Sequence, residues 1–379
     1  MCRLRHTRLD AVQEVQDPCL ATYLGPGLDS VDFDSSASES TYVHHTNHRL
    51  FPDELQRGFS RMAPLSKCKD STFYARSEWS TIATATTPFY TVLDGFLEEH
   101  GLTVRADGKG AAADGGSPAA GDATELRKAL RKRYDGVLLA LLRHNETGRV
   151  LCVGNTHLFY HPRFPHLKSM QACLMARAAR QFVHAHGFAL PKEAPQQAGA
   201  PTGAEVAEVM LMGDLNCLPH RDEPGPFDLT QDVAEWRHQA AADAYGCTSG
   251  TITLWSTGTL SGTHHEHPNQ RGCAGLPDLH SDVGPLTSVT LAARGAELPL
   301  TTRCFGMGGE TFEGTLDYIF VSSGLRVEGV LPMPYEQAGQ LLPPPLGLRA
   351  QKVHPQFSKL PNKVWPSDHL AVVADLSFV

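Results

Sequence analysis

Four short apolar runs, each joined to a polar and chemically loaded segment, dominate the hydrophobic pattern of the chain. Arg149–Gly154 runs into Asn155-Thr156-His157, and Val209–Met212 runs into Gly213-Asp214-Leu215-Asn216. Thr315–Ser322 and His369–Phe378 carry their polar residues inside or just before the apolar stretch. Runs of this length predict buried central strands. Leu9–Val15, ending near Gln13-Glu14, is a weaker strand candidate, and Thr72–Arg76 with Thr81–Ala85 suggests a hairpin. The period changes at His166–His186, where Leu167, Met170, Leu174, Ala178 and Phe182 share one face and Gly187 supplies a stop. That spacing predicts an amphipathic helix. Thr124–Tyr134 is a second helix candidate, basic on its exposed face.

Other stretches have no such period. Ala106–Asp122 is rich in Ala and Gly, Pro191–Gly203 in Pro, Ala and Gln, and Ser261–Gly284 in His, Gly and Pro. They are expected to be loop insertions, too poor in apolar residues to pack. Leu341–Leu348, with its Pro-Pro-Pro run, reads as a rigid connector. There is no internal repeat. Strands and helices alternate from end to end without a compositional break, so residues 1–379 are expected to form one domain.

The 379 residues suffice for a substantial core, and 41% hydrophobic with 20% charged residues is ordinary for a soluble globular protein. No apolar run approaches the roughly 20 residues that span a bilayer. A formal net charge of -8 argues against a protein that coats nucleic acid, which would be basic. It does not argue against an enzyme that gathers acidic groups around a metal and keeps a local basic rim. Nine scattered cysteines without a CxxC pair suit reduced intracellular thiols. The N-terminal MCRLRHTRLD is basic but lacks the apolar stretch of a secretory signal.

The polar groups at the strand ends change the picture most. They are Glu14, Asn155, His157, Asp214, Asn216, Asp317, Asp368 and His369. Fast cleavage of a phosphodiester requires a divalent cation to neutralise the phosphoryl oxygens, a base for the nucleophile, and amide or imidazole groups to hold the phosphate. This set contains each part. Taken singly, Gly213-Asp214-Leu215-Asn216, Asn155-Thr156-His157-Leu158 and Ser367-Asp368-His369 also fit plain strand-to-turn corners. Asp317, inside the apolar run Leu316–Val321, is harder to explain structurally, because a buried acid needs a partner. A histidine would supply one.

These residues resemble the endonuclease/exonuclease/phosphatase superfamily. The motifs are Gln13-Glu14, Asn155-Thr156-His157, Gly213-Asp214-Leu215-Asn216, Leu316-Asp317-Tyr318 and Ser367-Asp368-His369. Within it the chain is similar to the branch of CCR4-type deadenylases, Angel proteins, nocturnin and 2′,5′-phosphodiesterase 12 proteins, and it resembles the last group most. Supporting segments are Cys152–Pro162, Gly213–Pro219, Glu313–Pro334, Pro366–Leu376 and Asp70–Ile82. The resemblance implies a four-layer α/β sandwich of the DNase I type, with two mixed β-sheets packed face to face between flanking helices.

By that resemblance, Glu14, Asp214 and Asp368 serve the metal site, which takes Mg²⁺, with Mn²⁺ as a substitute. Asp214 acts near the nucleophilic water as base or second-metal ligand, and Asn216 orients it. Asn155, His157 and Asn216 bind substrate, and His157 stabilises the scissile phosphate. His369 is base or transition-state stabiliser, held by Asp317. The implied substrate is RNA or an oligoadenylate, 2′,5′-linked or a 3′ poly(A) tail, degraded to 5′-AMP. No obligate protein partner and no membrane are implied. The location implied is the mitochondrial matrix, with the cytoplasm as alternative.

Two departures stand out. The family pattern places a strand with an Asn ligand, and a helix, well before the Glu, whereas Glu14 lies close to Met1, so the domain is expected to be N-terminally incomplete. Lys69-Asp70-Ser71-Thr72 also replaces a Gly-Cys-Ala turn on the substrate side. The alternatives are a CCR4/Angel-like 3′ deadenylase and, from another class, an inactive RNA-binding remnant. A phosphoinositide or sphingomyelin phosphodiesterase fits the motifs less well.

Four further features have bland readings. His264-His265-Glu266-His267 and His44, His45 and His48 are expected to be solvated loop histidines, since metal sites need regular spacing and a second shell. Arg127–Arg133 is expected to be a solvated helix face. Phe159, Tyr160, His161 and Trp365 fit either base stacking or core packing.

Overall fold

A computed structural model describes residues 11–12, 78–104, 122–132, 135–161, 164–191, 205–221, 247–271, 273, 275–305, 311–333, 335, 360 and 367–379. The strands of the two main sheets are β1 (Ala11–Val12), β2 (Trp79–Pro88), β3 (Gly136–His144), β4 (Val150–His157), β5 (Ala207–Asp214), β6 (Thr287–Ser288), β7 (Asp317–Val321), β8 (Leu325–Val330) and β9 (Val373–Phe378). The helices are α1 (Phe89–Glu99), α2 (Thr124–Arg131), α3 (Pro165–Ala185), α4 (Gly250–Thr257) and α5 (Val289–Arg294).

The larger sheet has six strands in the order β6-β7-β5-β4-β3-β2. It is mixed: β4 and β5 run parallel and every other neighbouring pair is antiparallel. The parallel pair needs a crossover, and α3 supplies it. Pro165 opens α3 at its first turn, and the chain leaves it through Gly187 at φ 81°.

Both faces of this sheet are covered, which is why its strands read as continuous apolar runs rather than alternating ones. On β3, Val137, Leu139 and Leu141 pack with α1, α2, α3 and α4, while Leu138, Ala140 and Leu142 pack toward the second sheet. The second sheet, in the order β1-β9-β8, contributes Leu325, Ala374 and Leu376 to the latter layer. Two sheets thus pack face to face, with helices on the outer face of the larger one. The described pairs of the smaller sheet are antiparallel. On the side of the smaller sheet, α5 packs against β8 and reaches β7 of the larger sheet. No helix among the described residues is long and apolar enough to cross a membrane.

Several expectations change. Ser261–Gly284 is not a loose insertion: Cys273, Leu276, Leu279 and Val283 are buried in the helical layer, and Pro268–Arg271 forms a turn of 3₁₀ helix. A few well-placed apolar residues suffice, because they close over α3 and α4. Its histidine cluster is not solvated either. His267 is buried with its Nε2 3.0 Å from the Pro277 carbonyl oxygen, and the buried Glu266 carboxylate accepts the Gly250 N–H at 2.6 Å, at the start of α4. Thr81–Ala85 lies in β2 and pairs with β3, a strand the sequence reading passed over. The exposed face of α2 is not simply basic, since Arg127 forms an ion pair with Asp94 at 2.6 Å.

Outside the described residues lie Glu14, the remainder of Leu9–Val15, His44, His45, His48, Lys69–Arg76, 106–121, 192–203, 341–348 and Trp365.

Candidate active site

Three neighbouring strands end on one rung. His157 on β4 is the register partner of Asp214 on β5, and Asp214 is the partner of Asp317 on β7. The two-residue side-chain period fixes their direction. Val153, Met210, Met212 and Ile319 face the second sheet, so His157, Asp214 and Asp317 continue those rows at the sheet's end. Asn155, buried, lies two residues before His157 on the same face of β4.

His369 arrives from the opposite sheet. It precedes β9 rather than belonging to it, and bridges to Thr302. Its Nδ1 lies 2.8 Å from Asp317 Oδ2. Its Nε2 stands 3.9 Å from Asp214 Oδ2, and His157 Nε2 approaches the same oxygen at 3.6 Å. Both separations exceed a hydrogen bond, so a water or phosphoryl oxygen can enter between these groups.

The corner after β5 is tightly specified. Gly213 has φ 149°, and a Cβ there would lie 1.9 Å from the Thr156 carbonyl oxygen, so no side chain fits. Asp214 Oδ1 accepts the Asn216 N–H at 2.8 Å, a turn that Asp forms readily. Asn216 has φ 49°, the one non-glycine residue in the left-handed region among the described residues. Its Nδ2 donates to the Leu158 carbonyl at 2.9 Å, tying this corner to the segment after His157.

Thr301, which the sequence reading missed, orients Asp317. Its hydroxyl donates to Asp317 Oδ2, and Thr301 Oγ1 in turn accepts the Leu316 and Asp317 N–H groups at 3.0 and 3.2 Å. Nothing in the local sequence marks it, since it reaches the site through the hairpin Thr302–Phe305/Thr311–Gly314.

Burial, reinforced by the Asp317 charge, pushes the Asp214 carboxyl up to about 7, against the opposing pull of His369 and His157. For His369, burial acts to lower the value. The charge and hydrogen bond of Asp317, with Asp214 and Asp368, outweigh it and raise His369 to about 10. A buried carboxyl held so high, beside a second one, is an environment short of positive charge.

The donor set suits a divalent cation. One ligand atom each from Asp214, Asp317 and His369 lies within 4.8 Å of the others. Carboxylate oxygens are what Mg²⁺ prefers. The structure does not bring the Asp368 carboxylate into this group: the residue is exposed, and its backbone oxygen accepts the Thr302 hydroxyl at 2.6 Å. Phe159 packs partly against the core, while Tyr160 is 67% exposed beside it.

The model of the Endonuclease/Exonuclease/phosphatase family matches residues 11–369. The chain belongs to the endonuclease/exonuclease/phosphatase family. Enzymes of this family are generally dependent on divalent metals, in keeping with the acidic cluster. Carbon catabolite repressor protein 4 homolog 5 of Arabidopsis thaliana is 26% identical over 241 residues, 61% of this chain and 47% of that protein. The chain spans about half the length of this curated relative. Among solved structures, the human nocturnin catalytic domain with bound sulfate is 16% identical with a TM-score of 0.37, over 82% of this chain and 63% of that one. ANGEL2, a 2′,3′-cyclic phosphatase, in complex with adenosine-2′,3′-vanadate is 17% identical with a TM-score of 0.41, over 84% and 73% of the two chains.

Proposed function

We propose that this protein is a metal-dependent phosphodiesterase that cleaves the end of RNA or a short oligoadenylate, releasing 5′-AMP. The observation that carries this reading is the position of Asp214 Oδ2, between the Nε2 atoms of His157 and of an Asp317-anchored His369.

Asp214 and Asp317 would hold Mg²⁺, with Mn²⁺ as a substitute, and Glu14 and Asp368 are the further ligands the motifs suggest. When bound, the cation supplies charge neutralisation at the phosphoryl oxygens and favours the ionised form of Asp214. The remaining roles belong to side chains. A water oxygen attacks phosphorus and gives its proton to Asp214. The bond from phosphorus to the ribose oxygen breaks, and that oxygen takes a proton from solvent. His369 holds its Nδ1 proton on Asp317 and offers Nε2–H to a phosphoryl oxygen. His157 supports the phosphate from the opposite side, and Asn155 and Asn216 line its approach. Fixed donors of this kind contribute because they need no reorganisation as charge develops.

The test is release of AMP from 2′,5′- and 3′,5′-triadenylate with Mg²⁺ and with EDTA, for the full chain and its Asp214→Asn variant. Magnesium-dependent release that the variant lacks supports the reading. Preference for the 3′,5′ linkage indicates a deadenylase, and preference for the 2′,5′ linkage an oligoadenylate phosphodiesterase. A folded chain that cleaves neither overturns it.

A further inference from the structure

Behind the catalytic corner, α3 carries two buried polar side chains at consecutive-turn spacing. Lys168 is 2% exposed and Gln171 fully buried, in a helix whose neighbours Leu167, Met170, Leu174 and Met175 are core residues. A buried ammonium is costly unless it is hydrogen-bonded, and its geometry is then specific. Lys168 Nζ donates to the backbone carbonyl of Asn216. Gln171 Oε1 accepts the Phe159 N–H at 2.9 Å, and its Nε2 donates to Asp135 Oδ2 at 2.7 Å. One helical turn therefore grips both active-site loops, the one after His157 and the one after Asp214. The third side of the triangle is the bond from Asn216 Nδ2 to the Leu158 carbonyl at 2.9 Å.

We infer that Lys168 is a positioning residue: its ammonium holds the Asn216 carbonyl, and so fixes the left-handed turn that sets Asp214 against His157. It rests on the proposed phosphodiesterase reading for its kinetic consequence, but not for its structural one. The turn is where such support is needed. Asn216 sits at φ 49°, a left-handed conformation that residues with a Cβ seldom adopt without support from their surroundings. A carbonyl anchored from α3 and an amide anchored on Asp214 clamp that residue from both sides. Misplacing a reacting group by about 1 Å can cost on the order of 100-fold in rate.

The experiment compares the full chain with Lys168→Met and Lys168→Arg by kinetics per folded molecule and by amide hydrogen exchange. The expected result for Lys168→Met is a kcat lower by roughly 10- to 100-fold at nearly constant KM. Exchange should quicken at Leu158 and Asn216 but not along β3 to β5. Lys168→Arg keeps a cationic donor and should restore most of both. If wild type hydrolyses nothing while exchange still quickens locally, the phosphodiesterase reading fails and the positioning role stands. Unchanged exchange at the corner, or a kcat loss that merely follows the unfolded fraction, overturns the positioning role.

Discussion

Asp214 and Asp317 are directly opposed on the last rung between β5 and β7, two buried acids brought together by strand register. Like charges in that position repel, and the fold answers with His369, whose Nδ1 sits on Asp317 and whose Nε2 faces Asp214. The pair is thus one unit with the imidazole. Replacing Asp317 by Asn removes the carboxylate that fixes the imidazole tautomer. We expect kcat to fall by about 10²- to 10⁴-fold and the His369 titration, followed by NMR, to shift down. An unchanged titration would show that Asp317 does not hold the ring.

The same cluster sets a pH dependence. Asp214 is raised from 3.8 to about 7 and His369 from 6.5 to about 10, so the folded state binds more protons than the unfolded one across this range. Stability from Asp214 is fully present below 3.8 and is lost as pH rises through about 7; that from His369 is fully present below 6.5 and lost through about 10. In EDTA the denaturation midpoint should therefore decline with rising pH. Asp214→Asn should flatten the acidic part of the decline and His369→Gln the alkaline part. Added Mg²⁺ should raise the midpoint most at high pH, where the carboxyl is ionised. A profile that rises from neutral to alkaline pH in EDTA would contradict this balance.

Gly213→Ala tests the close approach of β5 to β4. A Cβ 1.9 Å from the Thr156 oxygen forces the strands apart. The expected cost is about 3–5 kcal/mol by urea denaturation, with activity lost even in the fraction that folds. A cost below about 1 kcal/mol would mean that this contact relaxes freely.

Thr301→Val keeps the shape and removes the hydroxyl. It leaves Asp317 with one bond fewer and two backbone N–H groups without their acceptor, so a loss of about 1–3 kcal/mol is expected. Turnover should drop as well, because Asp317 no longer presents one fixed oxygen to His369. Full turnover in a destabilised variant would confine Thr301 to a purely architectural role.

Leu279→Ala addresses Ser261–Gly284. A side chain buried beneath this segment should cost about 2–5 kcal/mol when truncated, whereas a loose loop would register almost nothing. Equilibrium unfolding separates the two.

The strands that carry the chemistry were legible because each ends on a polar group that its apolar run cannot otherwise accommodate. β4, β5, β7 and α3 all lie where the periodicity places them. Burial of Asp317 with His369 follows the expectation that a buried acid needs a partner. β3 escaped notice although Val137–Leu142 is as apolar as any run in the chain, because no reactive residue marks its end. Lys168, Gln171 and Thr301 were invisible for a different reason. Their partners lie at Asn216, Phe159 and Asp317, and only tertiary packing brings them there. Ser261–Gly284 was misread because low average hydrophobicity hides a few leucines and a valine spaced to meet one surface. Asp368, adjacent to His369 in sequence, is exposed and adds its charge to that ring from outside the buried cluster of Asp214, Asp317 and His369.

The row Met210, Met212, Asp214 on β5 makes the site more sensitive to strand register than the core beneath it. A slip of one residue in the pairing of this strand would turn the methionines out of the inter-sheet layer and, in the same movement, swing Asp214 to the helix side. Val209 and Leu211 would take the methionines' places, since the strand is apolar on both faces, but nothing would return a carboxylate to the site. A single-residue insertion or deletion within β5 should therefore abolish hydrolysis even in a variant that still folds.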